Sequence, residues 1–115
     1  MDVHPLDATS SVPPFEQLRA QIASRAATGD LPAGTRLPTV RALAGDLDLA
    51  VNTVAKAYRA LEADGVVVTE GRRGTRISGA RTDARDAADA FVATARRLDL
   101  SLREAVRLVE QSWDR

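Results

Sequence analysis

NTVAKAYRALE, at residues 52–62, is a stretch with two opposite faces. Its apolar residues recur at offsets of three and four, as they do on one side of an α-helix: Val54, Ala57, Tyr58 and Leu61. Its polar residues fall largely elsewhere around the same helix: Asn52, Thr53, Lys56 and Arg59. The pattern predicts a helix that buries one face and exposes the other.

The polar face carries side chains that suit the major groove of DNA. An asparagine can form two hydrogen bonds with an adenine edge, a threonine can contact a thymine methyl group, and a lysine can reach guanine or phosphate. The simpler alternative is an ordinary solvated helix face, since helix surfaces are usually polar. The run alone leaves both interpretations open.

A second short helix is predicted just before this one. Its apolar residues have helical spacing: Val40, Leu43, Ala44 and Leu47. Thr39, directly after Pro38, is the predicted N-cap. Residues 48–50 separate the two helices, and Asp48 can adopt the left-handed conformation that such a tight connection needs. The spacing predicts a helix-turn-helix.

A β-hairpin is predicted after the two helices. Gly65 is expected to end the second helix, and a β-branched run follows at 66–69. The run GRRG at 71–74 turns the chain, and residues 75–78 return. Because two arginines lie in the turn, the hairpin has a basic tip and is expected to form a wing.

Five stretches of residues 14–78 together form a family pattern: PFEQL at 14–18, Gly29, LPAGTRLPTVRALA at 31–44, NTVAKAYRALE, and GxxGT at 71–75. Through them the segment resembles the winged helix-turn-helix domain of the GntR transcriptional regulators. The sequence NTVAKAY and the short C-terminal region are similar to those of the YtrA-like branch, whose members carry a small helical dimerisation segment. The resemblance implies a mainly α fold with a small β-hairpin wing (α+β), followed by two C-terminal helices.

Three positions depart from the family pattern. Asp48 stands where the family usually has glycine, Ala50 where it has a capping serine or asparagine, and Val51 where it often has arginine. An N-cap without a side-chain oxygen forfeits about 1 kcal/mol. Without the arginine, more of the base contact is expected to fall on the neighbouring residues: Asn52, Thr53 and Lys56.

The N-terminal part is divided into an arm and a helix. Residues 1–13 have no periodicity, which predicts a flexible arm, disordered or loosely docked, ahead of the DNA-binding domain at 14–79. A helix begins at Pro14 and ends at Gly29, with one apolar stripe: Phe15, Leu18, Ile22 and Ala26. Leu31 to Gly34 is predicted to form a type I turn with proline second and glycine fourth, and residues 35–37 a short strand pairing with the wing.

Residues 80–115 are predicted to form a two-helix dimerisation segment. Ser101 and Glu104 have the spacing of a capping box that begins the second helix. Two helices of this length cannot close a core alone, so they either fold back on their own domain or pair with a second copy. The homodimer is favoured, because a small repressor that pairs by twofold symmetry makes its weak DNA contact twice. The expected contact residues are Phe91, Ala95, Leu98, Leu102, Val106, Val109 and Trp113.

Composition narrows the class of protein. The chain has 115 residues, 44% of them hydrophobic, enough for one small core. It has no cysteine, and its single histidine, His4, lies in the polar arm, so no metal or other cofactor is expected. Because no apolar run approaches membrane-spanning length and no signal-like segment is present, a cytoplasmic protein without membrane contact is predicted.

The formal net charge is zero, so any DNA contact depends on where the charges lie. Residues 14–79 carry nine basic and seven acidic side chains. The cations expected on elements that face phosphate are Arg41, Lys56, Arg59, Arg72, Arg73 and Arg76. The acidic residues expected on the far side are Asp30, Asp46, Asp64 and Glu70.

Together these features predict a sequence-specific regulator of transcription, a repressor that binds a palindromic operator in double-stranded DNA. The expected DNA contacts are Arg41, Asn52, Thr53, Lys56, Arg59, Arg72, Arg73 and Thr75. The resemblance implies control of a transporter or envelope-stress operon, and a small-molecule effector stays unknown. A winged helix that binds only protein is the alternative. An enzyme is not expected, because the sequence holds no phosphate-binding loop or nucleophile–base pair.

Overall fold

Helices and one hairpin make up the parts of the chain that the computed structural model describes, residues 2–79 and 84–115. They fall into two compact units, Met1–Asp83 and Ala84–Arg115. The first unit holds three helices and the hairpin, and the second holds two helices. The predicted mainly α fold with a small wing is confirmed. The predicted domain boundary adjoins residues 80–83, which lie outside the described residues.

Helix α1 (Pro14–Ala27) supplies one wall of the core of the first unit. Proline is tolerated at its first position because that N–H has no partner within a helix. Leu18 and Ile22 are fully buried, and Ala26 is nearly so, while Phe15 is half-buried. Gly29 follows the helix with a φ of +82°, the left-handed stop that the sequence predicts.

Helices α2 (Val40–Leu47) and α3 (Val51–Ala63) form the predicted helix-turn-helix. Thr39 caps α2, with its Oγ1 accepting a hydrogen bond of 3.1 Å from the Ala42 backbone N–H. Asp48 takes the left-handed conformation between the helices, with a φ of +55°. Ala50 is the N-cap of α3 and makes no side-chain capping bond, so this end of the helix lacks the support that α2 has.

A buried tyrosine ties α3 to the beginning of α2. The Tyr58 hydroxyl donates a hydrogen bond of 2.7 Å to the Pro38 carbonyl oxygen, just ahead of the Thr39 cap. Burial raises the pKa of this hydroxyl, so Tyr58 remains a neutral donor. The bond satisfies a polar group that the core would otherwise leave without a partner.

Strands β1 (Val67–Thr69) and β2 (Thr75–Ile77) form the predicted hairpin, one residue shorter at each outer end than expected. They pair antiparallel, with Val67 opposite Ile77, and a one-turn 3-10 helix, Gly71–Arg73, connects them. The predicted pairing of residues 35–37 with the wing is confirmed: the Leu37 N–H donates to the Thr75 carbonyl at 2.8 Å.

The turn before this pairing differs from the prediction by one residue. The Thr35 N–H donates to the Pro32 carbonyl at 3.0 Å, so proline is the first residue of the turn and Gly34 the third, with a φ of +87°. A positive φ at the third position is typical of a type II turn. The Gly34 N–H, which the predicted type I turn needs, instead donates to the Ile77 carbonyl in β2 at 2.9 Å.

The N-terminal arm, residues 2–13 of the described chain, is docked on α1 by two glutamine side chains. The Gln17 amide pairs with both backbone groups of Asp7, at 2.7 and 2.9 Å. The Gln21 amide pairs with His4 in the same way, at 2.9 and 3.1 Å. Two apolar residues of the arm also pack partly against the core: Val3 and Leu6.

The second unit consists of α4 (Ala84–Arg97) and α5 (Leu102–Trp113). Asp99 has a φ of +56° and reverses the chain between them. The predicted capping box is confirmed: Ser101 Oγ accepts from the Glu104 N–H at 3.1 Å, and Glu104 Oε1 accepts from the Ser101 N–H at 2.9 Å. The bond from the Ser101 N–H, together with the Ser101 hydroxyl, holds the pKa of the Glu104 carboxyl below its usual range. Within the described ranges, no helix is long and apolar enough to cross a membrane.

The two caps of the helix-turn-helix give a paired stability test. Thr39→Ala removes the side-chain bond that begins α2, and Ala50→Ser adds the oxygen that α3 lacks. The free energy of unfolding is expected to fall by about 1 kcal/mol in the first variant and to rise by about 1 kcal/mol in the second. Urea unfolding followed by circular dichroism measures both, and an Ala50→Ser variant no more stable than the parent chain would contradict the assignment.

Candidate nucleic-acid interface

Helix α3 presents a polar stripe opposite its buried stripe. Asn52, Lys56 and Arg59 are exposed, and their offsets of four and three place them one above another along the helix. Thr53 is half-buried at the edge of this stripe. The stripe therefore offers an amide, an ammonium group and a guanidinium group to a molecule that approaches α3 from solvent.

One flank of the stripe is bordered by Phe15 of α1. The Lys56 Nζ lies 3.9 Å from the centre of the Phe15 ring, where the negative face of the ring attracts the ammonium group. Such a contact is worth about 0.5–1 kcal/mol at an exposed site. Because Phe15 packs partly against the core, the ring holds the lysine charge at the surface of α3. The sequence pattern places Phe15 in the apolar stripe of α1 alone and does not indicate this contact.

The hairpin borders the other flank. Arg59 of α3 and Thr75 of β2, both predicted DNA contacts, line one cavity of about 200 Å³. The other residues that line it are Val40, Ala55, Tyr58, Glu62 and Thr69. The Oγ1 atoms of Thr69 and Thr75 lie 3.2 Å apart across the two strands. The base of the wing thus lies beside α3.

Three further predicted cations are exposed and stand apart from this cavity. Arg41 lies in the first turn of α2, and Arg72 and Arg73 lie in the 3-10 turn at the tip of the hairpin. Within residues 2–79 and 84–115, none of the three forms an ion pair. Each keeps a positive charge that an external anion can neutralise. The same ranges hold no group of three or more histidine, cysteine or carboxylate side chains suited to a metal ion.

Glu70 does not lie where its position in the sequence suggests. Its carboxylate forms an ion pair with the Arg76 guanidinium inside the hairpin, instead of lying on the far side from the cations. The prediction is wrong for this residue because the strand register brings the end of β1 and the middle of β2 together. Arg76 is therefore neutralised within the chain, unlike Arg72 and Arg73.

Most of the residues predicted to form a dimer contact are exposed. Leu98 is 66% exposed, Leu102 82% and Trp113 84%. Leu102, Val106, Val109 and Trp113 follow one another at offsets of four, three and four, so they form one apolar stripe on α5. Phe91 is half-buried and, with Trp113, lines a cavity of about 550 Å³. Ala95 is already buried in the single chain, so little of its surface is left for a partner.

Comparison with known proteins identifies relatives of this chain. Residues 14–77 match the family of bacterial regulatory proteins called the gntR family. The HTH-type transcriptional regulator Rv1152 of Mycobacterium tuberculosis is 50% identical over 107 residues, which are 89% of this chain and 87% of that protein. The HTH-type transcriptional repressor YtrA of Bacillus subtilis is 41% identical over 73 residues, 64% of this chain and 56% of that protein. YtrA from Sulfolobus acidocaldarius, a solved structure, superposes with a TM-score of 0.60 at 30% identity, covering 77% of this chain and 92% of that one.

The tip of the wing can be tested through Gly74. Its φ of +79° and ψ of −159° fall in a region nearly restricted to glycine, and an added Cβ would lie 3.4 Å from two guanidinium nitrogens of Arg36. Gly74→Ala is expected to lower the free energy of unfolding by about 1–3 kcal/mol. Gly45→Ala is the matched control, since Gly45 lies inside α2 with nothing within 4 Å of the place a Cβ would take, and should gain about 0.5–1 kcal/mol. Equal stability of the two variants in urea would contradict this description of the wing tip.

Proposed function

The chain belongs to the GntR family of bacterial regulatory proteins and is a DNA-binding transcriptional regulator with YtrA-like relatives, and we propose that it represses transcription as a homodimer on a palindromic operator. The observation that carries the proposal is the exposed polar stripe of α3, bordered by Phe15 on one flank and by the wing on the other. The name of the Bacillus subtilis relative, a transcriptional repressor, supports the direction of the effect.

We propose that α3 enters the major groove and that its polar stripe contacts base edges. Asn52 is suited to an adenine edge, Thr53 to a thymine methyl group or a hydrogen bond, and Lys56 to guanine or phosphate. The left-handed Asp48 and the Tyr58 bond fix the angle between α2 and α3, so that the stripe keeps one orientation. Val51, where relatives often have arginine, is exposed without a polar group, which leaves base contact to its neighbours.

Four exposed cations are proposed to position the domain along the DNA backbone. Arg41 at the start of α2 and Arg59 on α3 would bind phosphate, and Arg72 and Arg73 would bind phosphate or enter the adjacent minor groove. Thr75, beside Arg59, adds a hydroxyl group at the base of the wing. Contacts of this kind fix orientation without discriminating between sequences.

The α5 stripe supports a homodimer. An exposed stripe with four apolar residues at helical spacing is unusual on a monomer of this size and is typical of a surface that pairs with another protein. Twofold pairing of two chains through this face would place two copies of α3 on successive half-sites, which is why the operator is proposed to be palindromic. The resemblance to YtrA-like regulators extends the proposal to a transporter or envelope-stress operon, and to action in the cytoplasm.

Base contact and backbone contact can be separated by mutation. Asn52→Ala is expected to reduce the discrimination between the gene's own upstream DNA and a random-sequence duplex by about 1–3 kcal/mol. Arg72→Ala and Arg73→Ala are expected to weaken binding to both duplexes and to lower the slope of log affinity against log salt by about 0.9 each for every bound protomer. Fluorescence anisotropy on both duplexes measures these changes. If Asn52→Ala leaves the ratio of the two affinities unchanged, Asn52 does not contact a base.

The proposed dimer can be tested on the two faces of α5. Val109→Arg places a charge in the apolar stripe, whereas Gln111→Arg places the same side chain on the opposite face of the helix, where position 111 is exposed. Native mass spectrometry of the unmodified chain is expected to give twice the 12.3 kDa mass of one chain. Val109→Arg should give the monomer and Gln111→Arg the dimer. A monomeric parent chain, or equal dissociation of both variants, would contradict the proposal.

A further inference from the structure

Arg36 and Arg76 lie directly opposite each other on two antiparallel segments, which places two positive charges side by side. The hydrogen bonds on either side fix this register: Leu37 N to Thr75 O, and Ile77 N to Thr35 O, each 2.8 Å. Side chains of such a pair project to the same face and approach closely. Because like charges directly opposite each other are destabilising, the pair needs an anion nearby.

Only one of the two arginines is paired with a carboxylate among the described residues. Glu70 forms its ion pair with Arg76. The other ion pairs among residues 2–79 and 84–115 join Arg19 to Glu16 and Arg25 to Asp30, so Arg36 has no carboxylate partner there. Glu70 therefore compensates Arg76, and no carboxylate of the described residues compensates Arg36.

The Arg36 guanidinium lies at the tip of the wing, although Arg36 belongs to neither the helix-turn-helix nor the hairpin. A Cβ built on Gly74 would lie 3.4 Å from the Nε and Nη2 atoms and 3.9 Å from the Cζ atom of Arg36, so the guanidinium group rests against the Gly74 backbone. Gly74 directly follows Arg72 and Arg73 in the chain. The absence of a side chain at Gly74 thus lets a third guanidinium group reach the turn that carries the other two.

We propose that Arg36 binds a backbone phosphate of duplex DNA, alongside Arg72 and Arg73. This inference rests on the proposed function, in which the wing meets the DNA backbone. Arg36 is exposed, forms no ion pair within residues 2–79 and 84–115, and presents a planar fork of donors that matches phosphate geometry. Its partner Arg76 occupies the equivalent place across the strands but is already paired. The two opposed arginines therefore have different roles: Arg76 stabilises the hairpin and Arg36 contacts DNA.

Salt dependence of binding to a random-sequence duplex tests this assignment. Arg36→Gln is expected to lower the slope of log affinity against log salt by about 0.9 for each bound protomer, because one phosphate contact is lost. Arg36→Lys should retain the slope of the parent chain, since the charge remains. Arg19→Gln is the matched control: it removes the same charge from α1, where Arg19 is paired with Glu16 and lies near Asp64 at the C-terminal end of α3. Its slope should equal that of the parent chain.

Two outcomes would overturn the inference while the proposed function stands. One is an Arg36→Gln slope equal to that of the parent chain, even if affinity falls, because this would show that Arg36 only supports the wing. The other is an equal loss of slope in Arg36→Gln and Arg19→Gln, which would show an effect of net charge rather than of one contact. Failure of the parent chain to bind duplex DNA at all would overturn the proposed function and this inference together.

Discussion

The packing of α3 on α1 is the interaction on which the rest of the molecule depends. Val54, Ala57 and Leu61 of α3 are fully buried in the same core as Leu18 and Ile22 of α1. Because an α-helix has 3.6 residues per turn, fixing this stripe in the core also fixes the direction of the opposite one. The outward orientation of the polar stripe therefore follows from apolar burial and needs no polar contact to hold it. The core thus determines the orientation of this surface. The contact of Lys56 with Phe15 forms one edge of it, and the wing beside Arg59 forms the other.

The features that could be predicted from the sequence are those set by residues close together in the chain. Thr39 caps α2 because it lies three residues before the N–H that it binds, and Asp48 turns the chain because a short polar side chain tolerates the left-handed conformation. Gly65, with a φ of +74°, ends α3 for a similar reason. Each of these depends on local geometry alone. Pattern and spacing are therefore sufficient to locate the helices, the turn between α2 and α3, and the hairpin.

The features that could not be predicted depend on which distant residues the fold brings together. The turn at Gly34 is shifted by one residue because its N–H is taken by β2, more than forty residues later in the sequence. The ion pair of Glu70 with Arg76 requires the strand register, and the contact of Lys56 with Phe15 requires the packing of α3 on α1. Arg36 belongs to the same class: its strand pairing could be expected, but the position of its guanidinium group over Gly74 could not. The charge pattern of the proposed DNA-binding surface is therefore a tertiary property.

The proposal that the outward face of α3 binds DNA is tested most directly by titrating isotope-labelled protein with a duplex of the gene's upstream DNA and following the amide chemical shifts. We expect the largest shift changes to cluster at residues 52–59 of α3 and at 71–76 of the wing, where Thr75 lines one cavity with Arg59. The buried stripe of α1 should change little. Large changes confined to the arm or to α1, with residues 52–59 unaffected, would contradict this proposal.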